Sequence, residues 1–154
     1  MPDVQLVVFE LIDEMCGADI SQVHEIIRYQ QVMKVPELPA FIEGIVSLRG
    51  KVVPIIDLNK RFNLGSQVEN KKTKIIVTDI SGQFVGFKVN NVSEVMKISD
   101  ENIERSIELI RRMGAKNYIK GIAKRNEQLI TLIDLHTILD EGEMGQIKEK
   151  EIKI

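Results

Sequence analysis

At 154 residues, 44% of them hydrophobic, the chain is long enough to bury a core, and its formal net charge of −2 excludes a strong positive field that would recruit nucleic acid. A single cysteine excludes an intramolecular disulfide framework and a thiolate zinc cluster. Without a signal peptide or an apolar stretch near the ~20 residues of a membrane span, a cytoplasmic protein with no direct membrane insertion is predicted.

The first third of the chain is predicted to be mostly extended. Residues 5–12 are apolar on both faces, as in a buried strand, and residues 15–20 are its predicted partner after a turn at 13–14. Residues 23–27 are predicted to extend again. The connection over 32–39 contains two prolines, each of which favours an extended residue before it.

A second hairpin is predicted at the centre of the first half. Two β-branched runs, 45–48 and 52–56, flank a polar break in which Gly50 can adopt the positive φ of a tight turn. Pro54 cannot donate to a sheet ladder, so its strand is predicted to lie at an edge or to leave the sheet there. Asp57 is predicted to cap a short helix that follows.

The second half repeats this organisation after a polar linker at 63–72. Residues 74–80 and 83–89, joined by Ser81 and Gly82, form the clearest hairpin pattern in the chain. Residues 92–98 are predicted to form a further strand.

Three segments near the C-terminus do not have strand patterns. Apolar residues at helical spacing after a capping sequence predict a helix over 101–113. A short helix capped by Asp134 is predicted over 134–139, by analogy with Asp57. Residues 141–154 are predicted to be a charged tail.

The two halves are related by an internal repeat. Two constant spacings relate one half to the other, and they align Gly17 with Gly86, Glu25 with Glu94, Gly44 with Gly121 and Asp57 with Asp134. Such self-similarity predicts two related half-units, in tandem or interleaved. We interpret residues 1–154 as one domain with subdomains near 13–70 and 74–140, and strand exchange at the N-terminus remains possible.

No catalytic or metal-binding arrangement is recognisable, so the protein is predicted not to be an enzyme and to need no cofactor. His24 and His136 occupy non-equivalent places in the repeats and do not have the spacing of a metal site or a triad. Asp57 and Asp134 suggest a carboxylate pair, but their duplication is better explained by helix capping. Cys16 is expected to be buried and inert.

The positions that differ between the repeats are better candidates for function. Residues 47–50 become 124–127, so Arg49 at the predicted tip has Asn126 as its aligned residue. An exposed Arg49 beside Leu48, near the apolar strip that contains Val23, would form a mixed apolar and cationic interface. The alternative is that Arg49 is a solvated turn residue.

These motifs together resemble the CheW family, the coupling proteins of bacterial chemotaxis. The resemblance rests on Val23-x-Glu25-Ile26, the segments 36–44 and 48–58, Val85-Gly86 through Val95, and 118–122. It implies an all-β fold with short helices, built from two small five-stranded SH3-like barrels. It also implies a non-enzymatic adaptor that joins the cytoplasmic tips of chemoreceptors to the regulatory domain of the histidine kinase CheA.

The family pattern associates three residues with receptor or kinase coupling, and these fall on Glu25, Gly44 and Arg49. The full set of predicted receptor- or kinase-binding residues is Val23, Glu25, Gly44, Leu48 and Arg49. The family usually has an open connection where this chain has 101–113, so the helix predicted there departs from the family pattern.

Related arrangements and one other class of protein compete with this interpretation. The same module ends CheA and begins CheV, but a single module of this length is interpreted as free-standing. A small β-barrel that binds a ligand or an oligonucleotide is the alternative, although it would need an aromatic platform or a polar pocket. Aromatic residues make up 5% of the chain and there is no Trp, so the sequence supplies no such platform.

Overall fold

A computed structural model describes residues 3–66, 68–105, 108 and 117–149. The strands are β1 (Asp3–Glu10), β2 (Met15–Asp19), β3 (Glu25–Arg28), β4 (Gly44–Leu48), β5 (Lys51–Asp57), β6 (Lys74–Ile80), β7 (Gln83–Val89), β8 (Asn91–Ser99), β9 (Ile103–Glu104), β10 (Ile119–Arg125) and β11 (Gln128–Ile133). The helices bounded within the described residues are α1 (Leu58–Arg61) and α2 (Glu141–Glu149), and Glu108 is also helical. The 3-10 turns in these ranges lie at Ile20–Gln22 and Asp100–Asn102. None of the helices in these ranges is both long and apolar enough to cross a bilayer.

The strands form two curled sheets, which confirms the predicted all-β class. Sheet A has the order β8-β1-β2-β11-β10-β9, and sheet B has the order β3-β6-β7-β5-β4. Sheet B contains five strands, and sheet A contains the five equivalent strands plus the short β9. Named pairings are antiparallel except β2 with β11 and β5 with β7.

Each sheet combines strands from both halves of the chain. The hairpin β1–β2 pairs with β8 and β11, whereas the hairpin β6–β7 pairs with β3 and β5. The registers match, since Leu6 faces Asp19 in one hairpin and Ile75 faces Lys88 in the other. The half-units are therefore interleaved rather than in tandem. The subdomain boundaries near 13–70 and 74–140 stay a prediction, because pairing defines sheets and not independently folding units.

Both faces of several strands are buried, which explains their continuous apolar runs. The largest core draws on both sheets and includes Phe9, Cys16, Ile56, Ile76 and Phe87. A smaller core inside sheet A contains Leu6 and Val8, and one inside sheet B contains Ile55, Ile75 and Val77. Successive residues of a strand thus enter different cores, as a period of two requires. Burial, together with the nearby Glu14 carboxylate, raises the pKa of the Cys16 thiol above its ordinary value.

The predicted central hairpin is confirmed as β4–β5. Arg49 (φ 47°) and Gly50 (φ 81°) both have positive φ, as the tight primed turns of hairpins require. Asn126, in the equivalent turn between β10 and β11, has φ 56°. The two turns therefore share a positive φ at their first residue, whereas at the second residue Gly50 has a positive φ and Glu127 does not.

Close backbone contact explains the glycines shared by the two hairpins. A Cβ on Gly44 would lie 2.7 Å from the Met33 carbonyl oxygen, and a Cβ on Gly121 would lie 2.8 Å from the Glu104 carbonyl oxygen. Met33 pairs with the residue that follows Gly44, and Glu104 pairs with the residue that follows Gly121. The recurrence of these glycines thus has a packing cause.

The edge position predicted for Pro54 is wrong. Its strand β5 has β4 on one side and β7 on the other. Pro54 faces Ile45, but Ile45 exchanges its backbone hydrogen bonds with Met33, at 2.9 and 2.8 Å. Pairing with β7 begins only at Ile55. The missing N–H of Pro54 therefore costs no ladder bond.

The two aspartates that end the central hairpins behave differently. Asp57 caps α1 as predicted, because its Oδ1 accepts the Asn59 N–H at 2.9 Å. The helix predicted after Asp134 is absent, and the chain forms a turn there. Gln22 contacts this turn: its Nε2 donates to Asp134 Oδ1 at 2.8 Å, and its Oε1 accepts the Leu135 N–H at 2.9 Å. Asp134 Oδ1 still accepts the His136 N–H at 2.9 Å, so the capping bond forms although the helix does not.

The helix predicted over 101–113 is wrong at its start. After the 3-10 turn, Ile103 and Glu104 form β9, which pairs with β10 opposite Ala123 and Ile122. Ile103 is buried in the sheet A core, so non-local pairing overrides its helical spacing. Residues 106–107 and 109–116 lie outside the described residues.

The predicted charged tail contains α2, which packs on the body of the protein. Ile147 is 4% exposed within the largest core. The Arg61 guanidinium donates to both carboxylate oxygens of Glu143, at 2.7 and 2.6 Å, and to the Ile138 carbonyl at 3.0 Å. The helix is therefore attached by an apolar contact and an ion pair. Residues 150–154 lie outside the described residues.

A buried lysine links sheet B to its connecting segments. Lys88 Nζ lies 2.8 Å from Glu69 Oε1, 3.1 Å from Glu43 Oε1 and 3.3 Å from Asp57 Oδ2. Burial alone would lower the pKa of Lys88, but the hydrogen bonds to Glu69 and Glu43 and the charge of Asp57 raise it above its ordinary value. The ammonium is therefore charged and holds three carboxylates together.

The first prediction concerns Gly44. Gly44→Ala should destabilise the protein by about 1–3 kcal/mol, because the added methyl group must displace the backbone of Met33. Gly145→Ala is the matched control. Its Cβ meets nothing within 4 Å in α2, so it should stabilise by up to ~1 kcal/mol. Urea unfolding measures both variants, and equal effects would contradict the packing explanation.

The second prediction concerns Lys88. Lys88→Met should destabilise by about 3 kcal/mol at neutral pH, because it leaves buried carboxylates without a counter-charge. The hydrogen bond from Lys88 lowers the pKa of Glu69, so this stabilisation is present above the unfolded-state carboxyl pKa and is lost as pH falls through the folded-state value. The stability difference between wild type and variant should therefore narrow in acid.

Urea unfolding at neutral and acid pH measures that difference. Lys97→Met, at an exposed position on β8, is the control and should change stability little. A constant difference across the pH range would show that the ion pairs of Lys88 do not cause the stabilisation.

Candidate interaction surface

Glu25 and Arg49 meet at the opening between the two ends of sheet B. Glu25 begins β3, the first strand in the sheet order, and Arg49 follows β4, the last. Arg49 Nη1 donates to Glu25 Oε2 at 2.8 Å, and Nη2 donates to Oε1. This two-bond contact joins the edge strands and closes the sheet into a barrel.

The pair is electrostatically complementary and open to solvent. The hydrogen bonds from Arg49 hold the pKa of Glu25 below its ordinary value, and those bonds together with the Glu25 charge raise the pKa of Arg49. The Arg49 side chain is 64% exposed and that of Glu25 is 24% exposed. Exposed ion pairs contribute little to stability, so a partner could replace this contact at little cost to the fold.

The other predicted binding residues lie in the framework around this pair. Leu48 is 8% exposed and belongs to the core inside sheet B. Gly44 lies at the opposite end of β4 against Met33, and Val23 packs against the largest core. The structure thus brings Glu25 and Arg49 together at the surface, whereas Val23, Gly44 and Leu48 support the strands behind them.

An aromatic ring beside the pair was not identified from the sequence. Phe84, on β7, lies between Lys51, whose Nζ is 4.3 Å from the ring centroid, and His24, whose ring centroid is 4.6 Å away. His24 also lowers the pKa of Glu25 through its charge, so the ring that contacts Phe84 lies near the Glu25–Arg49 pair, and these side chains extend the same surface. We call Glu25, Arg49, His24, Lys51 and Phe84 the Arg49 surface. Nothing in the sequence marked Phe84, because a single aromatic in a strand is ordinary core.

Arg49 has a structural counterpart that the sequence alignment missed. In sheet A, Arg125 Nη1 and Nη2 donate to Glu94 Oε1 and Oε2, each at 2.8 Å. The constant spacing of the repeat aligns Arg49 with Asn126, so the neighbouring Arg125 was not considered. The inference that Arg49 has no twin is therefore wrong at the level of structure. Comparing residues one position either side of the alignment would have found it.

The described residues show no metal centre of the usual kind. No group of three or more His, Cys, Asp or Glu side chains is arranged to hold a metal ion within the described ranges. The Arg49 surface combines an Arg–Glu pair with an aromatic ring and a lysine. Of these groups, arginine and aromatic side chains are enriched at protein–protein contacts.

Comparison with known proteins places this geometry in a family. A family model described as "CheW-like domain" matches residues 5–143. "Chemotaxis protein CheW" of Klebsiella aerogenes is 33% identical over 93% of this chain and 86% of its own length. The protein of the same name from Treponema pallidum is 29% identical, with the same coverage.

A solved structure has the same fold. The crystal structure of the scaffolding protein TtCheW from Thermoanaerobacter tengcongensis superposes with a TM-score of 0.79 and 37% identity, over 93% of this chain and 92% of that chain. The extent of the family match and of this superposition confirms the resemblance inferred from the motifs. The chain belongs to the CheW-like family.

Proposed function

We propose that this protein is a chemotaxis scaffold that couples the cytoplasmic tips of chemoreceptors to the regulatory domain of the kinase CheA. Family membership supports the general role, since the similar proteins are named as chemotaxis and scaffolding proteins. The observation that carries the coupling role is the exposed Glu25–Arg49 pair, which falls on two of the family's coupling positions.

The chemistry of the Arg49 surface supports a protein partner. A guanidinium that already makes two parallel hydrogen bonds can turn toward a carboxylate of a partner, and arginine is enriched at interface hot spots. Phe84 supplies apolar area beside the charges, and Lys51 adds a second cation. We infer that Val23, Gly44 and Leu48 act indirectly, by holding β3 and the β4–β5 hairpin in place.

The proposal makes the protein a non-enzymatic adaptor in the cytoplasm, held near the membrane through its receptor partners. Its output is then the assembly of other proteins, and binding is the property to measure. Incubation of the pure protein with ATP should give no saturable hydrolysis. A saturable activity would overturn the adaptor role.

The third prediction separates binding from barrel closure. Arg49→Glu should weaken binding to a receptor fragment or to the CheA regulatory domain about tenfold, because a partner's matching group would face a like charge. Thermal stability should change little, since the residue is exposed. Calorimetric titration and thermal melts measure the two effects.

The exchange variant Glu25→Arg/Arg49→Glu restores an ion pair between β3 and the turn with its direction reversed. If Arg49 acts by contacting a partner, the exchange should leave binding weak. Recovery of binding would show that only barrel closure matters. Arg125→Glu disrupts the equivalent ion pair of sheet A and so controls for a general effect of the charge change. Gly50→Val should impair both folding and binding, because Gly50 has a positive φ that a β-branched residue disfavours.

A further inference from the structure

Equivalent places in the two sheets differ in one respect: the space that a lysine fills in sheet B is open in sheet A. Lys88 faces Ile75 across the β6–β7 hairpin, and Asp19 faces Leu6 at the same position of β1–β2. Asp57 ends β5, and Asp134 directly follows the equivalent strand β11 beside them. Replacement of a long basic side chain by a short acidic one leaves room at this end of sheet A.

That room is a cavity of about 270 Å³. Its apolar wall includes Val4, Leu6 and Leu132, and its charged rim includes Asp19, Lys120 and Asp134. We call it the sheet A cavity. A space of this size suits one long side chain rather than a larger ligand.

One carboxylate at the rim has an oxygen without a partner. Asp57 uses Oδ1 to cap α1 and Oδ2 to contact Lys88 Nζ at 3.3 Å. Asp134 uses Oδ1 in the same way, accepting the His136 N–H at 2.9 Å, but within the described part of the chain no hydrogen bond or ion pair reaches Oδ2. The oxygen that binds an ammonium in sheet B is therefore available in sheet A.

Two basic side chains near the cavity affect which ligand could bind beside Asp134. Arg105 is already paired with Asp100, at 2.8 Å. Lys120 stands where sheet B has Glu43, and it has no ion pair with any described residue. A basic side chain that enters the cavity would balance the net negative charge of Asp19, Asp134 and Lys120, but it would also approach the Lys120 ammonium. An acidic neighbour that contacts Lys120 would offset this repulsion.

We propose that the sheet A cavity receives a lysine side chain from a protein partner, together with a neighbouring acidic residue that contacts Lys120. The aliphatic stem lies along Val4, Leu6 and Leu132, and the ammonium lies near Asp134 and Asp19, as Lys88 does beside Asp57. This site is on the other sheet from the Arg49 surface. Its test is therefore independent of the proposed coupling role.

The test uses a capped dipeptide, acetyl-Lys-Glu-amide, titrated into the isotope-labelled protein and followed by NMR. Amide shifts should cluster at the cavity, including Gly17 and Leu132, with a millimolar Kd. Asp134→Asn keeps the shape of the side chain and removes its charge, so the probe should bind about fivefold more weakly. Asp19→Lys should abolish binding, because its own side chain would fill the cavity as Lys88 fills the space in sheet B.

Asp13→Lys is the matched control, with the same change of charge in the exposed β1–β2 turn, and it should bind the probe as wild type does. Replacement of lysine in the probe by norleucine tests whether the ammonium matters. Equal binding of the norleucine probe, undiminished binding to Asp134→Asn, or shifts away from the cavity would each overturn the proposal. If Asp19→Lys fails to fold, the binding of the probe to Asp134→Asn still tests the proposed site.

Discussion

The parallel pairing of β2 with β11 and of β5 with β7 is the constraint on which the rest of the structure depends. Each pairing joins a hairpin from one half of the chain to a hairpin from the other, and parallel strands cannot be joined by a tight turn. The two halves therefore enclose a common core around Phe9 and Phe87, both fully buried. Neither half can bury its apolar strands without the other.

This shared frame fixes backbone positions and leaves the strand ends free to vary. Gly44 and Gly121 recur because the neighbouring backbone leaves no space for a Cβ. At the strand ends the same positions hold opposite charges, as Lys88 and Asp19 show. In sheet B the lysine is enclosed by carboxylates, whereas in sheet A the equivalent space is open to a partner.

Barrel closure and recognition use the same kind of contact. An Arg–Glu pair links β3 to the turn after β4 in sheet B, at Glu25–Arg49, and links β8 to the end of β10 in sheet A, at Glu94–Arg125. The Arg49 side chain is more exposed than that of Arg125, at 64% against 36%. Because surface pairs add little to stability, a partner can replace such a contact at low cost to the fold.

The sequence by itself determined the features that depend on neighbouring residues. Alternating or continuous apolar runs predicted the strands, Gly50 and Gly82 predicted the tight turns, and Asp57 predicted a helix cap, since strand period, turn geometry and capping act over a few residues. The internal repeat and the family motifs predicted the two-barrel class and five candidate residues. Of these, Glu25 and Arg49 proved to be in direct contact.

Only the tertiary structure decided which strands pair, because that choice depends on burial between residues far apart in sequence. The interleaving of the halves, the interior position of Pro54 and the strand at Ile103 all follow from non-local pairing. Gln22 bonds from a distant segment to the turn that follows Asp134, where a helix was expected. Arg125 was missed because a side chain as long as arginine can reach the same place from a neighbouring position, which an alignment of positions does not show.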